Sequence, residues 1–136
     1  MNETEARRRA EAARVARLGS LTPDGQLHLV PICFVLDGDT LYTAIDEKPK
    51  RSARPQRIAN LLAHPEGCVL IDAWDEDWSQ LWWVRLRGRA RVLENGSERE
   101  QAVALLRGKY EQYGAHELGA VIAVDLDELR TWAAVD

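Results

Sequence analysis

The chain has 136 residues, 46% of them hydrophobic and 29% charged, with nine glycines, five prolines and a formal net charge of −4. That length fits one domain over residues 1–136 around one core, and the composition excludes collagen-like and low-complexity chains. No apolar run approaches the roughly 20 residues of a membrane span, and MNETEARRRAEAARVARL lacks the apolar stretch of a secretory signal, so a cytoplasmic protein with no membrane attachment is expected.

From Glu3 to Leu18 the residues are strong helix formers, and Thr4 is placed to cap a first helix. LGSLTPDGQLHLVPICFVLDGDTLYTAID then reads as three extended runs separated by two turns. Thr22-Pro23-Asp24-Gly25 has proline and glycine where a type I turn wants them, and Asp37-Gly38 is a favoured hairpin turn, so an antiparallel meander is predicted. RIANLLAHPE places Ile58, Leu61 and Leu62 on one face of a short helix that Pro65 stops. CVLIDAW is a buried strand that runs into the acidic, aromatic loop DEDWSQ.

In LWWVRLRGRARVLE, Trp83, Arg85, Arg87, Arg89 and Arg91 alternate with Val84, Leu86, Gly88, Ala90 and Val92. This period of two predicts a long, central strand with one wet face. SEREQAVALLRGKYEQYG predicts an amphipathic helix capped by Ser97, with Gly114 just beyond its end. AVIAVDLDELRTWAAVD closes the chain with a strand and a short tail. About six strands with helices at three points describe a mainly β, α+β protein: a small antiparallel barrel decorated by helices.

Three constellations bear on function. LHLVPICFV is apolar on both alternating faces, yet carries Pro31 in its middle, where a proline cannot donate to a ladder; this fits a bulge, a barrel edge, or an open edge against which a flat ligand pairs. From Lys48 to Arg57 lie five cations (Lys48, Lys50, Arg51, Arg54, Arg57) and no acid, between a strand and a helix. Backbone N–H groups at a helix start suit an anion, so phosphate is the expected guest. The acidic balance of the chain and the cluster Asp72, Asp75, Glu76 and Asp77 argue against nucleic acid, which wants a broad positive field.

The third constellation is Trp74, Trp78, Trp82 and Trp83. Strand neighbours point to opposite faces, so Trp82 and Trp83 do not share one core, and one of them is expected at an interface. Cys33 and Cys68 sit in apolar runs as reduced, buried thiols, and the three histidines form no zinc spacing with them; no metal is expected. No nucleophile elbow, dinucleotide fingerprint or convincing acid/base pair is present, so a cofactor is expected to carry any chemistry and no catalytic residue is nominated.

The order HLVPICF, DGDTLYTAID, KPKR, IANLLAHPE, CVLIDAW, DWSQLWWVRLRGRARVL resembles the split β-barrel flavin and deazaflavin oxidoreductases, the pyridoxamine 5′-phosphate oxidase-like superfamily, and within it the probable coenzyme F420-dependent branch. The resemblance implies a six-stranded antiparallel split β-barrel of the FMN-binding type. It also implies a homodimer with cofactor sites along its interface and a small-molecule substrate. By matching motif, His28, Val30, Pro31, Ile32 and Cys33, with Tyr42 and Thr43, would lie beside the tricyclic ring. Lys48, Lys50 and Arg51, with Arg57 as a further candidate, would clamp the phosphate, and Trp78 and Trp82 would approach from the partner subunit.

The match departs from the oxidases proper in two places. His28 stands where they use an arginine for the FMN phosphate, and the chain lacks the C-terminal arginine and histidine that bind pyridoxal, which counts against vitamin B6 chemistry. Coenzyme F420 has more anionic groups than FMN and suits five cations better. The resemblance therefore implies an F420-dependent oxidoreductase passing a hydride to an unsaturated substrate. The alternatives are an FMN oxidoreductase of the same fold, or a non-catalytic flavin-, deazaflavin- or haem-binding protein.

Overall fold

The alternation in WWVRLRGRARVL becomes the spine of the molecule. In the computed structural model, which describes residues 1–46 and 55–135, this segment is strand β6 (Trp82–Leu93), fourth of seven in one antiparallel sheet. The other strands are β1 (Ala16–Leu21), β2 (Leu27–Ile32), β3 (Val35–Asp37), β4 (Thr40–Asp46), β5 (Glu66–Ala73) and β7 (Leu118–Ala133). The helices are α1 (Glu3–Ala12), α2 (Gln56–Ala63) and α3 (Ser97–Lys109), with short 3₁₀ turns over Trp78–Gln80 and Glu111–Ala115. No helix among the described residues is long and apolar enough to cross a membrane.

The strand order is β2-β1-β5-β6-β7-β4-β3. Its two edges, β2 and β3, are consecutive in the chain and separated by Cys33 and Phe34 alone, so the sheet must curl until its edges approach. The result is a split β-barrel. It has seven strands where the sequence predicted six, because LHLVPICFVLD is two strands that belong to opposite edges. The break is built: Phe34 is fully buried, and the Tyr110 hydroxyl accepts from its N–H at 3.0 Å while lying 3.1 Å from its carbonyl and 3.0 Å from that of Arg14. Lys109 Nζ sits 3.9 Å above the Phe34 ring with no hydrogen-bond partner among the described residues, and burial pushes its pKa down to about 8.

Leu18, Ile32, Phe34, Leu41, Val69, Ile71, Val84, Ile122 and Val124 fill the barrel, which Ala6 and Ala10 of α1 and Ile58 and Leu61 of α2 close. Ala102, Val103 and Leu106 of α3 pack on Tyr42, Ala44, Val121 and Ala123, so β4 is covered on both faces. That double burial explains the continuous apolar run around LYTAI.

Local expectations shift in three places. The first helix ends at Ala12, because Ala16, Leu18 and Ser20 turn inward as a strand, and Asn2 rather than Thr4 caps it by accepting from Glu5 N–H at 2.9 Å. Ser97 opens α3 without capping it; the cap is Gly96, whose φ of 99° only glycine adopts freely. The α3 helix stops at Lys109, well before Gly114. Gly88 marks a bulge between β6 and β7, where an added Cβ would overlap the Asp125 carbonyl.

Candidate functional site

The predicted ring-facing strand alternates about its own axis. His28, Val30 and Ile32 face inward, whereas Leu27, Leu29 and Pro31 point away from the core; Leu27 and Leu29 are 91% and 70% exposed. The expected cover on both sides is therefore absent within one chain. Pro31 lies on an edge strand, where a missing N–H is tolerated.

His28 lies opposite Ser20 on β1. The Ser20 hydroxyl accepts from Asn60 Nδ2 at 3.1 Å, and Asn60 Oδ1 accepts from Gln56 Nε2 at 2.7 Å, so a polar relay links β1 to the start of α2. Two nitrogens on these elements are stranded: His28 Nδ1 on β2 and Arg57 Nε on α2 are both buried and have no hydrogen-bond partner among the described residues. Arg57 stands one helical turn from Asn60. Burial pushes its pKa down, partly offset by the Tyr113 phenol, so no described carboxylate compensates its lost hydration. Buried donors in this condition fit an absent anion.

The remaining predicted residues divide by location. Lys48, Lys50, Arg51 and Arg54 lie outside the described residues. Tyr42 and Thr43 are buried, with their hydroxyls donating to Glu98 (2.8 Å) and to the Cys33 carbonyl (2.7 Å) respectively, so neither side chain is free for a ligand in this conformation. Glu98 is also gripped by Arg91, which joins it to Asp125; the hydrogen bonds from Arg91 and then Tyr42 hold Glu98 down to about 2, while burial and then the bond to Glu98 push Tyr42 up to about 12. Cys33 is half-buried and unpaired.

Trp78 and Trp82 are remote in character from this corner. Trp82 packs against the barrel core under the Arg9 guanidinium, at 5.7 Å, while Trp78 is exposed and edge-on to Trp74 at 6.3 Å. Trp83 takes the opposite face, as strand geometry requires, and pairs with Trp132 across β6 and β7. Leu70, Trp74, Trp83, Trp132 and Arg85 line a shallow groove of about 370 Å³ there.

Sequence reasoning missed the polar members from outside the motifs: Ser20, Asn60, and a second group of Asp46, Tyr113 and His116. Asp46 Oδ1 and His116 Nδ1 lie 3.1 Å apart across 70 positions of sequence. His116 enters the sequence reading only through metal spacing, and nothing local signals a pair that β4 and the start of β7 bring together.

A family model described as pyridoxamine 5′-phosphate oxidase matches residues 3–133. The chain belongs to this family. No curated protein sequence matches it. Among solved structures, the family's fold recurs at low identity. Rv2991, a conserved hypothetical protein from Mycobacterium tuberculosis, superposes with a TM-score of 0.78 at 18% identity, covering 98% of this chain and 86% of the other. A candidate 5-nitroimidazole antibiotic resistance protein from Bacteroides thetaiotaomicron gives 0.76 at 16% identity, with 96% and 82% covered. HutZ, the heme storage protein from Vibrio cholerae, gives 0.73 at 12% identity, with 96% and 93% covered. These likenesses establish the shared fold of this family member.

Proposed function

We propose that this family member is a coenzyme F420-dependent reductase acting on an unsaturated small molecule. The observation that carries the reading is the pair of stranded buried nitrogens, His28 Nδ1 and Arg57 Nε, beside a chain segment with four further cations. A phosphate at this corner would accept from both and restore the hydrogen bonding that burial removed. His28 and Arg57 would hold the anionic group, with Lys48, Lys50 and Arg51 adding charge. The backbone of β2 from His28 to Ile32 has an unpaired edge that suits the polar rim of a flat heterocycle. Bound there, the reduced deazaflavin supplies a hydride; the chain positions the reactants and excludes water.

The same reading includes a homodimer. Leu27, Leu29, Leu70 and Trp132 are exposed on one side of the sheet, more apolar surface than a soluble monomer usually leaves open. In such a pair the exposed Trp78 of one copy would be free to approach the cofactor of the other, whereas Trp82 packs against its own barrel core.

Titration with coenzyme F420, FMN and haemin, followed by tryptophan quenching, tests the reading. F420 is expected to bind most tightly; Arg57→Ala is expected to weaken F420 and FMN alike through the phosphate they share, and Arg54→Ala to weaken F420 while FMN affinity hardly moves. Tighter FMN binding turns the conclusion to an FMN oxidoreductase. Tight binding of haemin alone turns it to a haem-binding protein, a reading favoured by the likeness to HutZ.

A further inference from the structure

Next to the proposed cofactor corner lies a set of titratable groups that cofactor binding does not use. Asp46 ends β4, and its carboxylate lies 3.1 Å from His116 Nδ1. The His116 backbone is held from α3: Arg107 donates to the His116 carbonyl at 3.0 Å and to the Tyr113 carbonyl at 3.3 Å. The Tyr113 ring stands 6.4 Å from that of His116, and its phenol meets the Cys33 thiol. The Cys33 carbonyl in turn accepts from Thr43. A run of contacts thus leads from Thr43 and Cys33, beside the proposed ring position, through Tyr113 to an exposed histidine.

The electrostatics of this set favour a proton carrier. With Nδ1–H held by a carboxylate, an imidazole has Nε2 left to bind or release the second proton. The groups facing it among the described residues are Asp46 from β4, Tyr113 from the 3₁₀ turn and Arg107 from α3, with Glu117 adjacent in the chain. Burial, then the Cys33 thiol, push the Tyr113 phenol up, so it stays neutral beside the imidazole across the physiological range. His116 itself is exposed to solvent.

We propose that His116, oriented by Asp46 and Arg107, donates the proton that completes reduction at this site; the inference rests on the reductase reading above. When a hydride from a reduced flavin or deazaflavin forms a C–H bond with a conjugated double bond, the π pair moves to the neighbouring carbon or its activating oxygen. The Nε2–H bond of His116 then breaks, its electron pair remains on nitrogen, and the proton joins that anion. One double bond is reduced by two electrons, the cofactor is oxidised by two, and neutral His116 regains a proton from water. Asp46 and Arg107 act as positioning residues.

Diethyl pyrocarbonate footprinting of the whole protein, read by peptide mass spectrometry, gives a measure independent of turnover. His64, which contacts the Pro23 carbonyl, serves as internal reference. With FMN or F420 bound, as verified by tryptophan quenching, acylation of His116 is expected to slow several-fold while that of His64 is unchanged. An unchanged His116 rate with cofactor bound overturns the inference and leaves the cofactor reading standing; failure of either cofactor to bind removes that reading and the inference with it.

The second arm uses reduced cofactor with cyclohexenone, menadione and a nitroimidazole as probe acceptors. His116→Gln is expected to bind cofactor normally, to lose roughly 10²–10⁴-fold in kcat, and to differ from the parent in the pH profile of that rate. Asp46→Asn should have a smaller loss with the pH dependence displaced. Parent-like kcat in His116→Gln overturns the inference, and a parent inactive on all three acceptors removes the reductase reading together with it.

Discussion

Replacing Arg57 by methionine separates stability from binding. The guanidinium is half-buried, its Nε has no hydrogen-bond partner among the described residues, and burial alone accounts for the downward push on its pKa. A buried donor left unsatisfied costs about 1–3 kcal/mol; solvent access to the rest of the side chain argues for the lower half of that range. Methionine keeps most of the volume without the stranded donor. The ligand-free variant is therefore expected to gain about 1 kcal/mol, or roughly 3–5 °C in Tm for a chain of this size. Cofactor binding should weaken by about 1.5–3 kcal/mol, the loss of one charge-assisted hydrogen bond, which is roughly 10- to 150-fold in Kd. Scanning calorimetry without ligand and isothermal titration with F420 and FMN measure the two effects on the same protein. A variant that is less stable than the parent and binds both cofactors equally well refutes the reasoning, because Arg57 would then be a structural residue with an adequate partner.

Three further outcomes are expected. Gly88→Ala forces a methyl group into the Asp125 carbonyl at the β6–β7 bulge and should cost about 3 kcal/mol in urea unfolding; a neutral result means the bulge relaxes. Because Lys109 titrates near pH 8 when folded and near 10.5 when unfolded, the unfolded chain binds more protons between those values, and stability should rise from pH 8 toward pH 10. Above pH 10 the raised Tyr42 reverses the slope, and Lys109→Met should be more stable than the parent at pH 7 with the rise abolished. Leu29→Glu should turn the expected dimer into a monomer by sedimentation; a parent that is already monomeric and folded at micromolar concentration removes the homodimer from the proposal.

The fold was legible where patterns are local. The alternation in β6, the turns at Gly25 and Gly38, and the amphipathic faces of α2 and α3 follow from residue spacing, and all are present. The missed break at Cys33-Phe34 was not local: it depends on a tyrosine 76 positions away whose hydroxyl holds the Phe34 backbone. Apolarity on both faces goes with burial on both faces in LYTAI, but in LHLVPICFV, where cover on both sides was expected, it marks one buried face and one uncovered face, a difference that composition does not encode. The site was legible only through its cations and the strand motif. Asn60, Tyr113 and the Asp46–His116 pair are ordinary residues in sequence, and they become informative when tertiary structure shows which of their polar atoms have partners.

The outer edge of β2 has a consequence for handling and for life in the cell. A row of backbone N–H and C=O groups with no strand beside it among the described residues, flanked by the outward Leu27 and Leu29, is a template for the edge of any other chain, and Pro31 is the residue on this strand that interrupts it. If that row is where a flat heterocycle docks, saturation with ligand also masks the most aggregation-prone strip of the surface. The ligand-loaded protein would then outlast the empty one in concentrated solution by more than its melting temperature accounts for, and light scattering over days would register the occupancy of the site as colloidal lifetime.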